Sequence, residues 1–407
     1  MRILVYGGSF DPPHNGHLRS VLSAAEALKP EKVFFIPASV PPHKTQSPDA
    51  ATARQRLQMT ELAAGELKGL GAEALEMELL RPGKSYTADT LKELKARYPE
   101  DELVFLLGTD MLLSFLQWHE PERILQNASL AYFPRREKPD AREAETIKTL
   151  RESHGATVYE IPGVPVEVSS TELRQRLKNR QGSELLPPAV YAYIIRNRLY
   201  GAKPELSWLR ERAYTYLKPK RVAHVCGAEQ EAVRLARRWG ISPEDAAEAA
   251  ICHDITKKLG REEQLRLCAK YAIIADAYEN TSEKLLHAKT GAALAEDVFG
   301  LSEPVCEAIR WHTTGRPGMT DLERIIYLAD YIEPGREGFD GLAELRSAAY
   351  DDLDAAMELG TRMSIIEVRG KGYACHTDTL ECHAFYLARL KERGADPVHA
   401  VGIRDKI

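Results

Sequence analysis

The stretch YGGSFDPPHNGHL at residues 6–18 constrains the fold more than any other. It follows the apolar run RILVY and opens onto GHLRSVLSAAEAL, whose apolar residues recur at helical spacing. A buried strand must therefore pass through a glycine- and proline-rich turn into an amphipathic helix. Further short apolar runs follow: KVFFIPAS at 32–39, ELVFLLGTD at 102–110 and ASLAYFPR at 128–135, with ATVYEIPG at 156–163 as a weaker fifth strand. Strands that alternate with helices predict βαβ units and a twisted parallel sheet, an α/β domain. Ligands of such sheets bind beyond the carboxyl ends of the strands. His14, His17 and Asp110 all fall at that edge.

The chain has 407 residues, more than one hydrophobic core usually serves. After about residue 200 β-type runs disappear. RVAHVCGAEQEAVRLARRWG reads as a helix stopped by Gly240, and ISPEDAAEAAICHD as one capped by Ser242 with Pro243 at its first position and Asp245 in a capping-box-like place. The later segments keep the same spacing, so the second half is expected to be all-helical. Gly201 and Pro204 in LYGAKPELSW mark the linker, giving domains over 1–200 and 205–407. A net charge of −5 without a basic cluster argues against nucleic-acid or membrane partners. No transmembrane or secretory segment is read, so a cytoplasmic place is expected. The six cysteines form no Cys-x-x-Cys pair and read as small buried residues. A homo-oligomer is compatible with this composition.

Histidines three apart at a helix start suit either a metal or a phosphate. A helix N-terminus favours anions, Gly7 and Gly8 permit close backbone approach, and Ser9 adds a hydroxyl. No third ligand follows at a metal-like spacing, which favours the phosphate.

GGSFDPPHNGH resembles the signature of the nucleotidyltransferase superfamily built on His-x-Gly-His, and the late VSSTELR resembles its second motif. IPASVPPHK, SYTADTL and LLGTDMLLSFLQWHEPERIL narrow the resemblance to nicotinate-nucleotide adenylyltransferases, over residues 1 to about 200. The resemblance implies a Rossmann-like sheet and transfer of an adenylyl group from ATP to nicotinate mononucleotide, with pyrophosphate leaving and Mg²⁺ assisting. It assigns His14 and His17 to the reacting phosphates. Gly8, Ser9, Phe10, Lys44, Asp110, Ser170, Thr171 and Arg174 go to ATP and its phosphates, Trp118 to the nicotinate ring and Thr87 to its carboxylate. His43 and His119 are read as structural or peripheral.

The second half holds His224, the adjacent pair His253-Asp254, then His287, His312 and Asp330, each in or at the end of an expected helix. Burying this set without a cation would be costly, and imidazole with carboxylate suits Mn, Fe or Zn. ICHDITK, LLHAKTGA, WHTTGRPGM and YLADYIEPGR resemble the HD-domain metal phosphohydrolases, and among them the hydrolases that split diadenosine tetraphosphate into two ADP. That resemblance implies two divalent ions. His224, His253, Asp254 and Asp330 hold one, His287 and His312 complete the other, Asp254 bridges, and Lys257, Thr314 and Arg336 reach substrate phosphate. CHTDTLECH, with His376 and His383, has no familiar zinc spacing. At this level two alternatives stay open: another acceptor, either nicotinamide mononucleotide or phosphopantetheine, and a rear half that senses nucleotides without cleaving them.

Overall fold

A computed structural model describes residues 1–39, 50–81, 85–134, 141–162, 168–279 and 283–403. Lys44 and His43 lie outside the described residues. Two compact units divide the chain, Met1–Lys203 and Pro204–Ile407.

The first unit is built on six strands: β1 (Arg2–Gly8), β2 (Lys32–Pro37), β3 (Ala72–Ala74), β4 (Glu102–Gly108), β5 (Ser129–Phe133) and β6 (Val158–Glu160). Their order across the sheet is β3-β2-β1-β4-β5-β6, and every pairing is parallel. Ile3, Leu4 and Val5 are fully buried, as a central parallel strand covered on both faces requires. The sheet therefore has one strand more than the apolar runs indicate. β3 reads Ala-Glu-Ala, with nothing in its composition to announce a strand, and it joins the edge through backbone bonds to β2. The helices of this unit are α1 (Asn15–Leu28), α2 (Ala53–Gly65), α3 (Thr87–Arg97), α4 (Thr109–Ser114), α5 (Pro121–Asn127), α6 (Ala141–His154), α7 (Ser170–Lys178) and α8 (Pro188–Arg196).

The second unit is helical throughout its described residues: α9 (Leu206–Tyr214), α10 (Pro219–Trp239), α11 (Pro243–Cys252), α12 (Arg261–Lys270), α13 (Glu283–Phe299), α14 (Glu303–Trp311), α15 (Asp321–Ile332), α16 (Leu342–Asp351), α17 (Leu353–Gly370) and α18 (Thr377–Glu392). Gly240 ends α10 with φ of 70°, a left-handed position that glycine takes without strain. Ser242 caps α11 by accepting the Asp245 N–H at 3.1 Å, and Pro243 fills the first turn. α10, α11, α14 and α15 share one apolar core, which includes Leu235, Ile251, Ile309 and Ile326. Among the described residues no helix is long and apolar enough to cross a membrane.

Candidate functional site

The first cluster forms where β1 leaves the sheet. His14 stands in extended conformation as the cap of α1, and its ring stacks on that of His17 with centroids 3.7 Å apart. The His14 backbone N–H donates to His17 Nδ1 at 3.1 Å. In the neutral ring this leaves the His17 proton on Nε2. Tyr6 and Phe10 box the His17 ring, at 5.9 and 5.1 Å between centroids. Burial pulls the His14 imidazole down to about 4, and its buried Nδ1 has no hydrogen-bond partner.

The turn between β1 and α1 is held from several sides. Phe10 adopts a φ of 46°, and its ring is buried against Tyr6 and Phe35, so only its backbone is left for a ligand. A Cβ on Gly8 would press on that ring at 3.0 Å, which explains the glycine. Buried Arg56 donates to the carbonyls of Ser9 at 2.8 Å and Ser39 at 2.9 Å. From the other end of the unit comes α7, capped by Ser169. Arg174 of this helix donates to the Asp11 carbonyl at 2.7 Å and to Thr171 Oγ1 at 3.3 Å. Ser170 Oγ lies 3.5 Å from the Pro12 carbonyl. Two motifs far apart in sequence thus share one turn.

Thr87 and Trp118 form a second group. Thr87 opens α3, and the ring of its neighbour Tyr86 lies 4.1 Å from that of His119. Trp118 is half-buried on Phe115 and Phe105, at 5.4 and 6.2 Å. The Phe105 ring in turn lies 3.3 Å from where a Gly7 Cβ would stand, which joins this group to the turn. Asp110 is exposed in the first turn of α4, beyond β4 and next to β1 in the sheet. Among the described residues of this unit no three metal-type donors converge.

In the second unit, His224 comes from α10, His287 from α13 and Asp330 from α15. His253 and His312 occupy equivalent places, each just past the end of a helix, α11 and α14. In each, Nδ1 lies 2.7 Å from the carbonyl three residues earlier, that of Ala250 or Ile309. A carbonyl only accepts, so Nδ1 carries a proton, and in the neutral ring Nε2 keeps its lone pair for the interior.

Asp254 sits between two groups of imidazoles. Its Oδ2 lies 3.3 Å from His253 Nε2 and 3.9 Å from His224 Nε2. Its Oδ1 lies 3.2 Å from His287 Nε2 and 3.8 Å from His312 Nε2. Asp330 Oδ1 is 2.8 Å from His224 Nε2 and 3.7 Å from His253 Nε2. His287 and His312 face each other through Nε2 at 3.1 Å. Three of these interior atoms, His224 Nε2, His253 Nε2 and Asp254 Oδ1, are buried without an in-line hydrogen bond. Buried donors and acceptors of this kind fit divalent cations of the Mn, Fe and Zn type.

Charge is finely balanced here. Burial opposes the charged form of His253, yet Asp254 and Asp330 outweigh it and lift the imidazole to about 9. For His287 burial prevails and lowers the ring to about 4. Burial likewise opposes ionisation of Asp254, but the surrounding imidazoles, His253 first, hold it well below the usual carboxylate range.

Cationic side chains surround the cluster. Lys257 Nζ is 3.0 Å from Asp254 Oδ1, and Arg336 Nη2 is 3.3 Å from Asp330 Oδ1. Arg221, which the sequence reading passed over, places Nε 2.5 Å from Asp254 Oδ2. Its position one helical turn before His224 was the available signal. Glu333, also passed over, is buried 3.1 Å from His224 Nδ1. Thr314 is buried in the turn after His312, whereas the hydroxyl left there without a hydrogen bond belongs to Thr313. A separate convergence of Asp276, Glu279 and His376 is closed on itself: His376 bonds Asp276 at 2.7 Å and Lys289 holds Glu279.

A family model described as Cytidylyltransferase-like matches residues 5–176, and an HD domain model matches residues 221–335. A probable nicotinate-nucleotide adenylyltransferase of Idiomarina loihiensis is 35% identical over 208 residues, 48% of this chain and 98% of the relative. A Mycoplasma pneumoniae protein named probable nicotinate-nucleotide adenylyltransferase/Ap4A hydrolase is 28% identical over 363 residues, 88% of this chain and 97% of its own length. A crystal structure from Clostridium acetobutylicum, described as an HD superfamily hydrolase involved in NAD metabolism, is 38% identical. It aligns over 46% of this chain and 100% of its own, with a TM-score of 0.44.

Proposed function

Since the chain belongs, through its first half, to the nicotinate-nucleotide adenylyltransferase family, we propose that it is a bifunctional cytoplasmic enzyme with its domain boundary between residues 200 and 205. The front domain joins ATP to nicotinate mononucleotide. A phosphate oxygen of the mononucleotide bonds to the α-phosphorus of ATP, the bond to the β-phosphate breaks, and pyrophosphate leaves. No covalent enzyme intermediate is required, so positioning and charge stabilisation carry the catalysis. His17 offers Nε2–H to the reacting phosphate, and His14 lies stacked beside it at the start of α1. Arg174, with Ser170 and Thr171, meets the charge of the leaving pyrophosphate, together with Lys44. Gly8, Ser9 and the Phe10 backbone admit the phosphates closely. Mg²⁺ arrives on the ATP phosphates, its usual carrier, with Asp110 contacting it or the ribose. Trp118 stacks on the pyridine ring and Thr87 faces its carboxylate.

The rear domain hydrolyses a dinucleoside polyphosphate, with diadenosine tetraphosphate cut to two ADP. His224, His253, Asp254 Oδ2 and Asp330 would hold one divalent cation, and His287, His312 and Asp254 Oδ1 another. Bound there, such ions supply Lewis acidity towards phosphate oxygens and water. The protein's own part is orientation: carbonyls fix His253 and His312, and Lys257, Arg336, Arg221 and Thr314 receive substrate phosphate.

Two clusters in separate units carry this reading: stacked imidazoles at a helix start in one, and imidazoles on both oxygens of Asp254 in the other. Joining the activities has a chemical rationale. Transfer of adenylyl to a wrong acceptor, ATP itself, produces diadenosine tetraphosphate, which the rear site removes. The test is an assay of the full chain with ATP and each of three acceptors, and separately with diadenosine tetraphosphate and Mn²⁺. Preferred turnover of nicotinate mononucleotide and formation of two ADP are expected. Preference for nicotinamide mononucleotide or phosphopantetheine would reassign the front site, and Mn²⁺ binding without turnover would make the rear domain a sensor.

A further inference from the structure

The four imidazoles around Asp254 are not backed alike. His253 and His312 rest Nδ1 on neutral backbone carbonyls, and His287 Nδ1 is buried without a hydrogen bond. His224 Nδ1 instead meets a carboxylate, Glu333 Oε1, at 3.1 Å. Glu333 is itself buried and its place is built for it. The Gly335 N–H donates to Oε2 at 2.5 Å. Gly227, one turn after His224 on α10, clears the space: a Cβ there would collide with Oε2 and lie 3.2 Å from Cδ. Glu333 also follows Asp330 by one turn, so a single segment at the end of α15 delivers a ligand and the support of another.

We propose that Glu333 is a positioning residue that makes the His224 side the tighter of the two cation positions. The proposal rests on the two-cation reading given above. A carboxylate behind an imidazole fixes its tautomer and ring angle and raises the basicity of the coordinating nitrogen. On the His224 side the donor atoms of His224, His253 and Asp330 converge. Those of His253, Asp254 and His312 converge beside them, so donor number does not set the two positions apart. The carboxylate behind His224 does so, because none of the other three imidazoles has one at Nδ1. The His224 side would therefore hold its ion more tightly than the His287 side.

Calorimetric titration of the stripped full-length protein with Mn²⁺ alone, no nucleotide present, tests this. The natural protein is expected to take two ions of unequal affinity. Glu333→Gln is expected to weaken the tighter one about 10–100-fold and leave the weaker one unchanged. Gly227→Ala, which pushes Glu333 away without altering its charge, should reproduce the selective loss. A Glu333 with only a structural role would move the melting temperature and leave the spread between the two affinities intact. Equal weakening of both sites, loss of the weaker one, or no change in Glu333→Gln would overturn the proposal. A natural protein that takes up no Mn²⁺ would overturn the two-cation reading and the proposal with it.

Discussion

Tyr200 donates its phenol proton to Asp11 Oδ1 at 2.7 Å, although 189 residues separate the two. Asp11 also accepts the Ala51 N–H at 3.1 Å and carries Arg174 on its carbonyl, so Tyr200 steadies the turn between β1 and α1 from the far end of the unit. Tyr200→Phe removes one buried hydrogen bond, an effect of about 1 kcal/mol. We expect kcat/KM for adenylyl transfer to fall about fivefold, with diadenosine tetraphosphate hydrolysis by the same chain unchanged. Steady-state kinetics of both reactions on one preparation check it.

Arg56 makes a more severe prediction. Its buried guanidinium serves two carbonyls that flank the site, those of Ser9 and Ser39. Arg56→Met keeps most of the side-chain volume and leaves both carbonyls without their donor. Bonds to charged donors contribute about 1.5–3 kcal/mol each, partly offset by relief of the buried charge, so a net loss of about 3 kcal/mol is expected. Denaturant unfolding followed by the front-half tryptophan, Trp118, measures it.

His14 gives a pH dependence with a defined sign. Its imidazole is held near 4, against 6.5 for an ordinary histidine. Between those values the unfolded chain binds a proton that the native protein refuses. Stability contributed by His14 is therefore complete above 6.5 and falls as pH drops towards 4. NMR titration should place the imidazole near 4 in the free protein and higher once ATP is added, since phosphate charge favours the imidazolium. A His14 resonance titrating near 6.5 without nucleotide would contradict the buried geometry.

The sequence was legible where physics is local. Ile3–Val5 and Val33–Ile36 are continuous apolar runs, and such runs make central parallel strands. β3 escaped because Ala72–Ala74 has no such run; register against β2, not composition, makes it a strand. The imidazoles could be read from residue type and order. Tyr200 could not be joined to Asp11, because nothing short of the folded chain brings them together. Arg221 and Glu333 stand between these cases. Each lies three residues from a ligand expected from the sequence, yet a charged residue at helical spacing is ordinarily a solvated one. Only their contacts with Asp254 and His224 distinguish them.

Chelation should act on one unit alone. Each ion bound only by the native helical domain stabilises it by about 2.7 kcal/mol when present at a hundred times its dissociation constant. Stripping the protein should therefore lower the melting transition of the second unit, leave that of the first in place, and abolish hydrolysis while ATP·Mg²⁺ restores transfer. Differential scanning calorimetry with and without chelator resolves the two transitions.

The most direct test is a pair of single substitutions, His17→Ala and Asp254→Ala, each assayed for both reactions. Loss of an imidazole donor at the transferring phosphate should cost adenylyl transfer at least about 100-fold and spare hydrolysis. Removal of the carboxylate shared by the four rear imidazoles should abolish hydrolysis and spare transfer. If each substitution lowered both activities together, or neither lowered any, the assignment of two independent centres would be contradicted.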